Sequence, residues 1–461
     1  MNPDFSASRA CAQFASSLQY QDIPDQVIDF VKRDLLDWLG CAIGGSASPA
    51  SRPIKSVSLL LGGVRQAEVI GLSSQNVVTS AACNAYFGHI LEMDDVDKES
   101  ISHPATVIMP AALAVGAWNA SSGKDVITSI VAGFEVMLRI GASITPEHYK
   151  IFHTTATTGI FGASVAAGKI LGLDEKRLLW ALGNAGTLSC GLWQFLRDGG
   201  MSKFLHTAHA AGQGVYVALL AREGFSGATH ILEGEQGFFK GYALKDVNCD
   251  KFEDFFKVWR SGNVSFKPYP CCRHTHSAID AALDLREKLK GRKLKSIKLF
   301  SYSTAQQVAG KRSPRDQREA KFSTAYCVAS AILRGLPSEK HFSEEALQDK
   351  EVRNLENLIK IEIDDDLNKV VPTNWPHRIE AITDDGERLV SQVWSPKGDP
   401  ENELDWPAVE SKFKTLTEGF ITTATQEQVI EICRNFENQN SISDLFEREC
   451  LKFCVCPKFI T

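Results

Sequence analysis

Up to residue 266 the apolar positions recur mostly at helical spacing. Val27, Val31, Leu35, Trp38, Leu39 and Ala42 fall on one face of a helix predicted from Pro24 to Gly44. Pro24 suits its first turn, and Gly44-Gly45 suits its stop. Later segments are rich in small residues, as in AALAVGAW, GIFGASVAAGKI and HAAGQGVYVALLA. Ala and Gly on helix faces let helices approach closely, so this part reads as a densely packed helical domain. After Lys267 the period changes. Ile297 and Leu299 in KSIKLFSY mark one face of a strand, and Ile359, Ile361 and Ile363 mark another. RIEAIT and ERLVSQVW flank Asp384-Asp385-Gly386 as a predicted hairpin. Between these strands, residues 315–335 read as one helix stopped at Gly335. PKGDP at 396–400 punctuates a loop, and helical patterns follow it. The expected class is mainly α with a smaller α+β domain. The helical domain takes 1–266 and 399–461, and the α+β domain takes 267–398.

Composition adds limits. At 461 residues the chain exceeds one ordinary core, and two or three domains are expected. Hydrophobic residues at 44% and charged residues at 23% fit a globular protein. A formal net charge of -6 argues against a general nucleic-acid binder, which needs a basic surface. It leaves an anionic substrate open, because such a ligand responds to local charge. No apolar run approaches the roughly 18–20 residues of a membrane span. The opening MNPDFSASRACAQFASSL lacks the plan of a secretory signal, so a cytoplasmic protein with no membrane partner is expected. The 12 cysteines are scattered without a CxxC pair, which fits reduced thiols. The dense tail Cys450, Cys454 and Cys456 reads as thiols rather than a metal site.

Chemistry concentrates in a few segments. Glu92, Asp94, Asp95 and Asp97 precede His103-Pro104. By spacing alone this run is a solvated loop, acid–base machinery or a metal site. Tyr269-Pro270-Cys271-Cys272-Arg273-His274-Thr275-His276 stands where the two patterns meet, and Arg273 beside two histidines suits an anion. Lys203 follows a glycine pair and precedes a helical run, where it can aim a charge at a ligand. His153 opens another small-residue helix. Cys271-Cys272 reads as packing rather than as a nucleophile.

Together these segments resemble the MmgE/PrpD family of 2-methylcitrate dehydratases, cis-aconitate decarboxylases and iminodisuccinate epimerases. The matching stretches are HILEMDDVDKESISHP, FHTTATTGIFGASVAAGKILGL, SKFLHTAHAAGQG, ILEGEQGFF, KPYPCCRHTH, AKFSTAYC and PKGDP, in order along nearly the whole chain. The resemblance implies a large helical domain built from both chain ends, an inserted α+β lid, a homodimer, and chemistry without metal or organic cofactor. It implies catalytic roles for His103, His153, Lys203, His276 and Tyr326, with His274 the neighbouring choice at the lid entry. Glu92, Asp95, Arg273 and His274 are the expected substrate contacts.

The chain departs from the family's common Asp-Phe-Asp-Asp-Thr at Glu92-Met93-Asp94-Asp95-Val96, and the family spacing to the histidine differs by one residue. Glu92 replaces an aspartate and Val96 a threonine hydroxyl. The sequence reading therefore places dehydration of 2-methylcitrate or a related citrate first. Decarboxylation of cis-aconitate to itaconate and epimerisation of an amino-dicarboxylate follow. A catalytically silent protein that binds a small di- or tricarboxylate is the non-enzymatic alternative.

Overall fold

The computed structural model describes residues 5–442. The cysteine-rich tail at 450–456 lies outside them. The fold is mainly α with a smaller α+β part. Two compact units divide the chain. One runs up to Val264 and resumes at Asp405, and the other is Ser265–Leu404.

The first unit is built on long helices: α1 (Asp25–Ala47), α2 (Val77–Ile90), α3 (Ala105–Trp118), α4 (Gly123–Ile144), α5 (Thr154–Ile170) and α6 (Ser202–Arg222). α6 packs on α5 and α2, α5 on α3 and α4, and α1 on α2 and on the later helix Trp406–Thr417. All six apolar positions predicted for α1 are buried. The predicted stop is wrong, because α1 runs through Gly44 and Gly45 to Ala47. Those glycines serve packing. A Cβ on Gly45 would overlap the Phe87 carbonyl oxygen of α2, so the missing side chain permits the crossing. Small residues act similarly where α4 meets α5. A Cβ on Gly133 would stand 2.8 Å from the Gly162 carbonyl oxygen.

Two features escape the periodicity. A short antiparallel pair, β1 (Ala67–Val69) and β2 (Leu72–Gln75), lies inside the helical unit. Also, among the described residues α4 is long and apolar enough to cross a membrane, against the expectation of no such run. Its mid-helix charges hide it from a simple scan, yet they are internal. Glu135 and Arg139 pair at 2.9 Å, and Glu135 also accepts from Ser261 N–H and Oγ. Nearly all of α4 is buried within the protein, as a core helix is.

The second unit holds a four-stranded sheet in the order β4-β3-β5-β6, with β3 Leu294–Ser301, β4 Ile359–Ile363, β5 His377–Thr383 and β6 Arg388–Val393. β3 and β4 are parallel, and the other pairs are antiparallel. Ile297 and Leu299 pair with Ala381 and Ile379 on the buried face, as the alternation predicts. In β4 only Ile359 is fully buried, and Ile363 is exposed. Helices α7 (His276–Leu289) and α8 (Thr324–Arg334) supply much of this core, with Phe342, Leu347 and Val352 from the segment between α8 and β4. The single helix expected at 315–335 is broken. A short turn of helix ends at Lys321, and Ser323 then caps α8 by accepting from Tyr326 N–H. Such a serine satisfies an orphan helix donor and resets the chain direction.

His377 at the start of β5 is fully buried between two hydroxyls, with Ser277 Oγ at 2.7 Å and Ser301 Oγ at 2.8 Å. Burial pushes its pKa down to about 3. The folded value lies below the unfolded one, so the stability this group confers is present above pH ~6.5 and is lost as pH falls toward the folded value. The expected result is that the stability gap between the wild type and His377→Gln narrows on acidification. It narrows by up to about 1.4 kcal/mol for each pH unit below 6.5. Urea unfolding at several pH values measures this, and a pH-independent gap contradicts it.

A buried histidine pocket as candidate active site

The first unit gathers four imidazoles from separate segments. α2 carries His89 in its last turn, and the loop that follows carries Glu92, Asp94 and Asp95. Glu92 takes a left-handed backbone, φ 59°, which turns this loop sharply. His103 ends the loop just before Pro104 and α3. His153 is the cap residue of α5, and His206 lies in α6 one turn after Lys203. Ring centroids are 4.8 Å apart for His89–His103, 5.8 Å for His89–His153, 6.3 Å for His103–His153 and 5.4 Å for His153–His206. Trp193 and Phe195 close over His153 and His206.

Each Nδ1 has its own partner. His89 Nδ1 lies 2.6 Å from Asp94 Oδ2, with both groups fully buried. His103 Nδ1–H donates to the Asp95 carbonyl, and its backbone N–H donates to Thr155 Oγ1 at 3.1 Å. Asp94 Oδ2 lies 3.5 Å from the same ring nitrogen of His103. With Nδ1 protonated, the neutral His103 ring has its basic lone pair on Nε2. His153 Nδ1 stands 3.2 Å from His206 Nδ1. Burial pushes the His153 pKa well below the usual imidazole range, with help from His206, Lys203, His89 and His103. Burial also lowers His206 to about 4, aided by His89, His209 and Lys203. Both rings are therefore neutral at pH 7.

Lys203 Nζ reaches both oxygens of Glu92, at 2.5 and 2.6 Å, and both side chains are buried. Glu92 thus holds the lysine named from the sequence. Asp95 has a different duty. Both its oxygens face the Ala105 N–H, at 3.2 and 3.0 Å, and so anchor the start of α3. A carboxylate there also meets the positive end of the helix dipole. Burial, then Asp34 and Asp94, raise the Asp95 pKa well above the ordinary range.

Sequence reasoning missed five participants. His89 and His206 complete the imidazole cluster. Asp34 and Asp37 of α1 lie behind it, and Lys412 ties them in with Asp37 Oδ1 at 2.6 Å and the Met93 carbonyl at 2.6 Å. Burial and then Asp37 hold the Asp34 carboxyl well above its usual pKa. His206 was findable, since i and i+3 share a helix face and Lys203 was already singled out. Asp37 becomes interpretable only beside Lys412, which is 375 residues later in the sequence.

The donor atoms also bear on metals. Among the described residues, His89, His103 and His153 form one set whose ligand atoms lie within 4.8 Å of one another, and Asp94, Asp95 and His103 form a second. The second set is largely committed, because Asp95 anchors α3 and Asp94 holds His89.

The loop over His153 depends on Gly191. His153 N–H donates to the Gly191 carbonyl at 3.0 Å, and Trp193 N–H donates to the Ile151 carbonyl at 3.0 Å. Gly191 has φ 137°, and a Cβ there would stand 2.5 Å from Ala156 Cβ. Gly191→Ala is therefore expected to cost about 1–3 kcal/mol by overpacking and to lower any activity that uses His153. Urea unfolding and turnover measure both effects, and an unchanged protein contradicts this role for the loop.

The remaining sequence-predicted residues belong to the second unit. Arg273 is buried against Asp399 and also donates to the Lys397 carbonyl at 3.1 Å. His276 Nδ1 lies 2.8 Å from Arg273 Nη1, and its Nε2 lies 3.3 Å from the Cys271 carbonyl. His274 stacks on Trp375 at 4.1 Å, with Tyr302 Oη 2.7 Å from its Nδ1. Burial lowers its pKa to about 3. Tyr326 donates its hydroxyl to the His341 carbonyl at 2.7 Å and sits in the core of the unit. Cys271 and Cys272 are buried, as packing residues are.

This fold, with its acid loop and histidine pocket, belongs to a defined class. The MmgE/PrpD N-terminal domain matches residues 9–249, and the MmgE/PrpD C-terminal domain matches residues 269–438. The chain is a member of the MmgE/PrpD family. It is 26% identical to a cis-aconitate decarboxylase of Aspergillus terreus (strain NIH 2624 / FGSC A1156), over 94% of each chain. Human cis-aconitate decarboxylase is 25% identical over 95% of this chain and 94% of its own. A cis-aconitate decarboxylase-like protein of Aspergillus oryzae is 24% identical over 96% of this chain and 97% of its own.

Proposed function

We propose that this protein is an acid–base lyase that decarboxylates a small unsaturated tricarboxylate of the cis-aconitate type. The observation that carries this reading is the buried set of His103, His153 and Lys203 in a chain whose near-full-length relatives are named cis-aconitate decarboxylases. In such a reaction the bond from a CH2 carbon to its carboxylate breaks and CO2 leaves. The electron pair forms a new terminal double bond. The old double bond's pair shifts to the far carbon, where the adjacent carboxylate spreads the charge, and one proton then adds there. A fixed cation beside that carboxylate stabilises the developing charge, and Lys203 is the buried cation of the pocket. His103 and His153 are the proton donors and acceptors at hand.

Dehydration of 2-methylcitrate, placed first by the sequence, is the second reading, and Val96 at the usual threonine position favours it. The other departure has less force, because Glu92 remains a carboxylate and grips Lys203. Proton NMR of the purified protein with cis-aconitate, 2-methylcitrate, citrate and iminodisuccinate separates the readings. Itaconate from cis-aconitate is the expected result. An alkene formed from a citrate gives dehydration, and a purely stereochemical change gives epimerisation. Tight binding with no product gives a silent binding protein.

A further inference from the structure

Converting a carboxylate trianion into a dianion and CO2 consumes one proton per turnover. That proton must reach a carbon inside a pocket whose histidines are at most 9% exposed. The 3.2 Å between His153 Nδ1 and His206 Nδ1 constrains how it arrives. Two neutral imidazoles in that contact share one hydrogen, with one Nδ1–H donating to the other Nδ1 lone pair. The donor ring then has a basic Nε2, and the acceptor ring has an Nε2–H. Moving the shared proton exchanges these states, so a proton taken up at one Nε2 is released at the other. His153 Nε2 is buried with no hydrogen-bond partner among the described residues, and it belongs to the ring cluster of His89 and His103. His206 is the more exposed ring of the pair and lies under Phe195.

We propose that His206 and His153 form a proton relay that feeds the reacting carbon, an inference that rests on the lyase reading above. His206 Nε2 takes a proton from water at the pocket rim, and its Nδ1–H passes to His153 Nδ1. The His153 Nε2–H bond breaks as the carbon–hydrogen bond forms at the far carbon, using the pair displaced there from the old double bond. After product leaves, water in the pocket returns the pair to its starting tautomers by acid–base exchange that takes up no net proton. The charged and titratable groups facing the pair are Lys203 and His209 on α6, His89 on α2 and His103 before α3. Together with burial, they keep both rings neutral near pH 7, as a relay requires.

Two measurements test the relay. The first is 15N NMR of histidine-labelled wild type near pH 7, with signals assigned from His153→Gln and His206→Gln. The relay predicts one protonated and one bare Nδ1 in the pair. Two bare Nδ1 atoms overturn it, whether or not the protein decarboxylates anything. The second is turnover of cis-aconitate by His206→Gln. The expected result is a fall in kcat of about 100-fold with KM little changed, and partial recovery when imidazole is added to the buffer. Unchanged kcat, or loss without imidazole rescue in a variant that keeps its melting temperature, overturns the relay. If wild type turns over none of the carboxylates, the lyase reading fails by itself and the NMR result alone decides the relay.

Discussion

Replacing His103 with alanine is expected to lower turnover at least ~100-fold while the fold survives. The ring stands against His89 and His153, and its Nδ1–H is fixed by the Asp95 carbonyl. That bond directs the basic function of the neutral ring to Nε2, and the Thr155 hydroxyl holds the backbone in place. A general acid or base placed in this way contributes about 100- to 10,000-fold to a rate. Apart from the bond to the Asp95 carbonyl, the anchors of the loop do not pass through the His103 side chain. Asp95 caps α3, Asp94 holds His89, and Lys412 holds the Met93 carbonyl. The circular dichroism spectrum and melting temperature of His103→Ala are therefore expected to stay close to those of the wild type. Near-wild-type turnover in the mutant removes His103 from the mechanism.

Glu92→Ala is expected to destabilise the protein by about 3–5 kcal/mol, because it leaves the Lys203 ammonium buried without the Glu92 carboxylate. The pair is short, bidentate and nearly inaccessible. Charges in such a place gain their attraction only while both are present. The double variant Glu92→Met with Lys203→Met removes both charges and both desolvation costs. It is expected to recover most of the lost stability while remaining at least ~100-fold less active, as loss of an electrostatic stabiliser predicts. Denaturant titration beside turnover separates the two effects. A double variant as active as the wild type would show that Lys203 has only a structural role.

The sequence pattern located several of the long helices and all four strands of the larger sheet, because burial on one face imposes the 3.6- and 2-residue periods. It failed where long-range packing overrides a local signal. Gly44 and Gly45 look like a stop, yet they are the contact through which α1 meets α2. The α4 charges look like surface, yet Glu135 and Arg139 satisfy each other inside. For the site, His103, His153 and Lys203 were legible from their segments, and the structure brings them into one unit with Glu92. His89 was hidden because a histidine inside an apolar helix usually signals nothing, and His206 was legible only through its one-turn spacing from Lys203. Arg273 looked like an anion site, but its anion is Asp399, 126 residues along the chain. No local pattern encodes such a pairing.

The central claim is that the histidine pocket performs a decarboxylation that consumes a proton. The most direct test follows purified wild-type protein with cis-aconitate in a lightly buffered pH-stat and traps the released gas. The account predicts CO2 and proton uptake in equal amounts, with itaconate as the product. Absence of CO2 from cis-aconitate, while 2-methylcitrate or citrate loses water with no proton uptake, would contradict it.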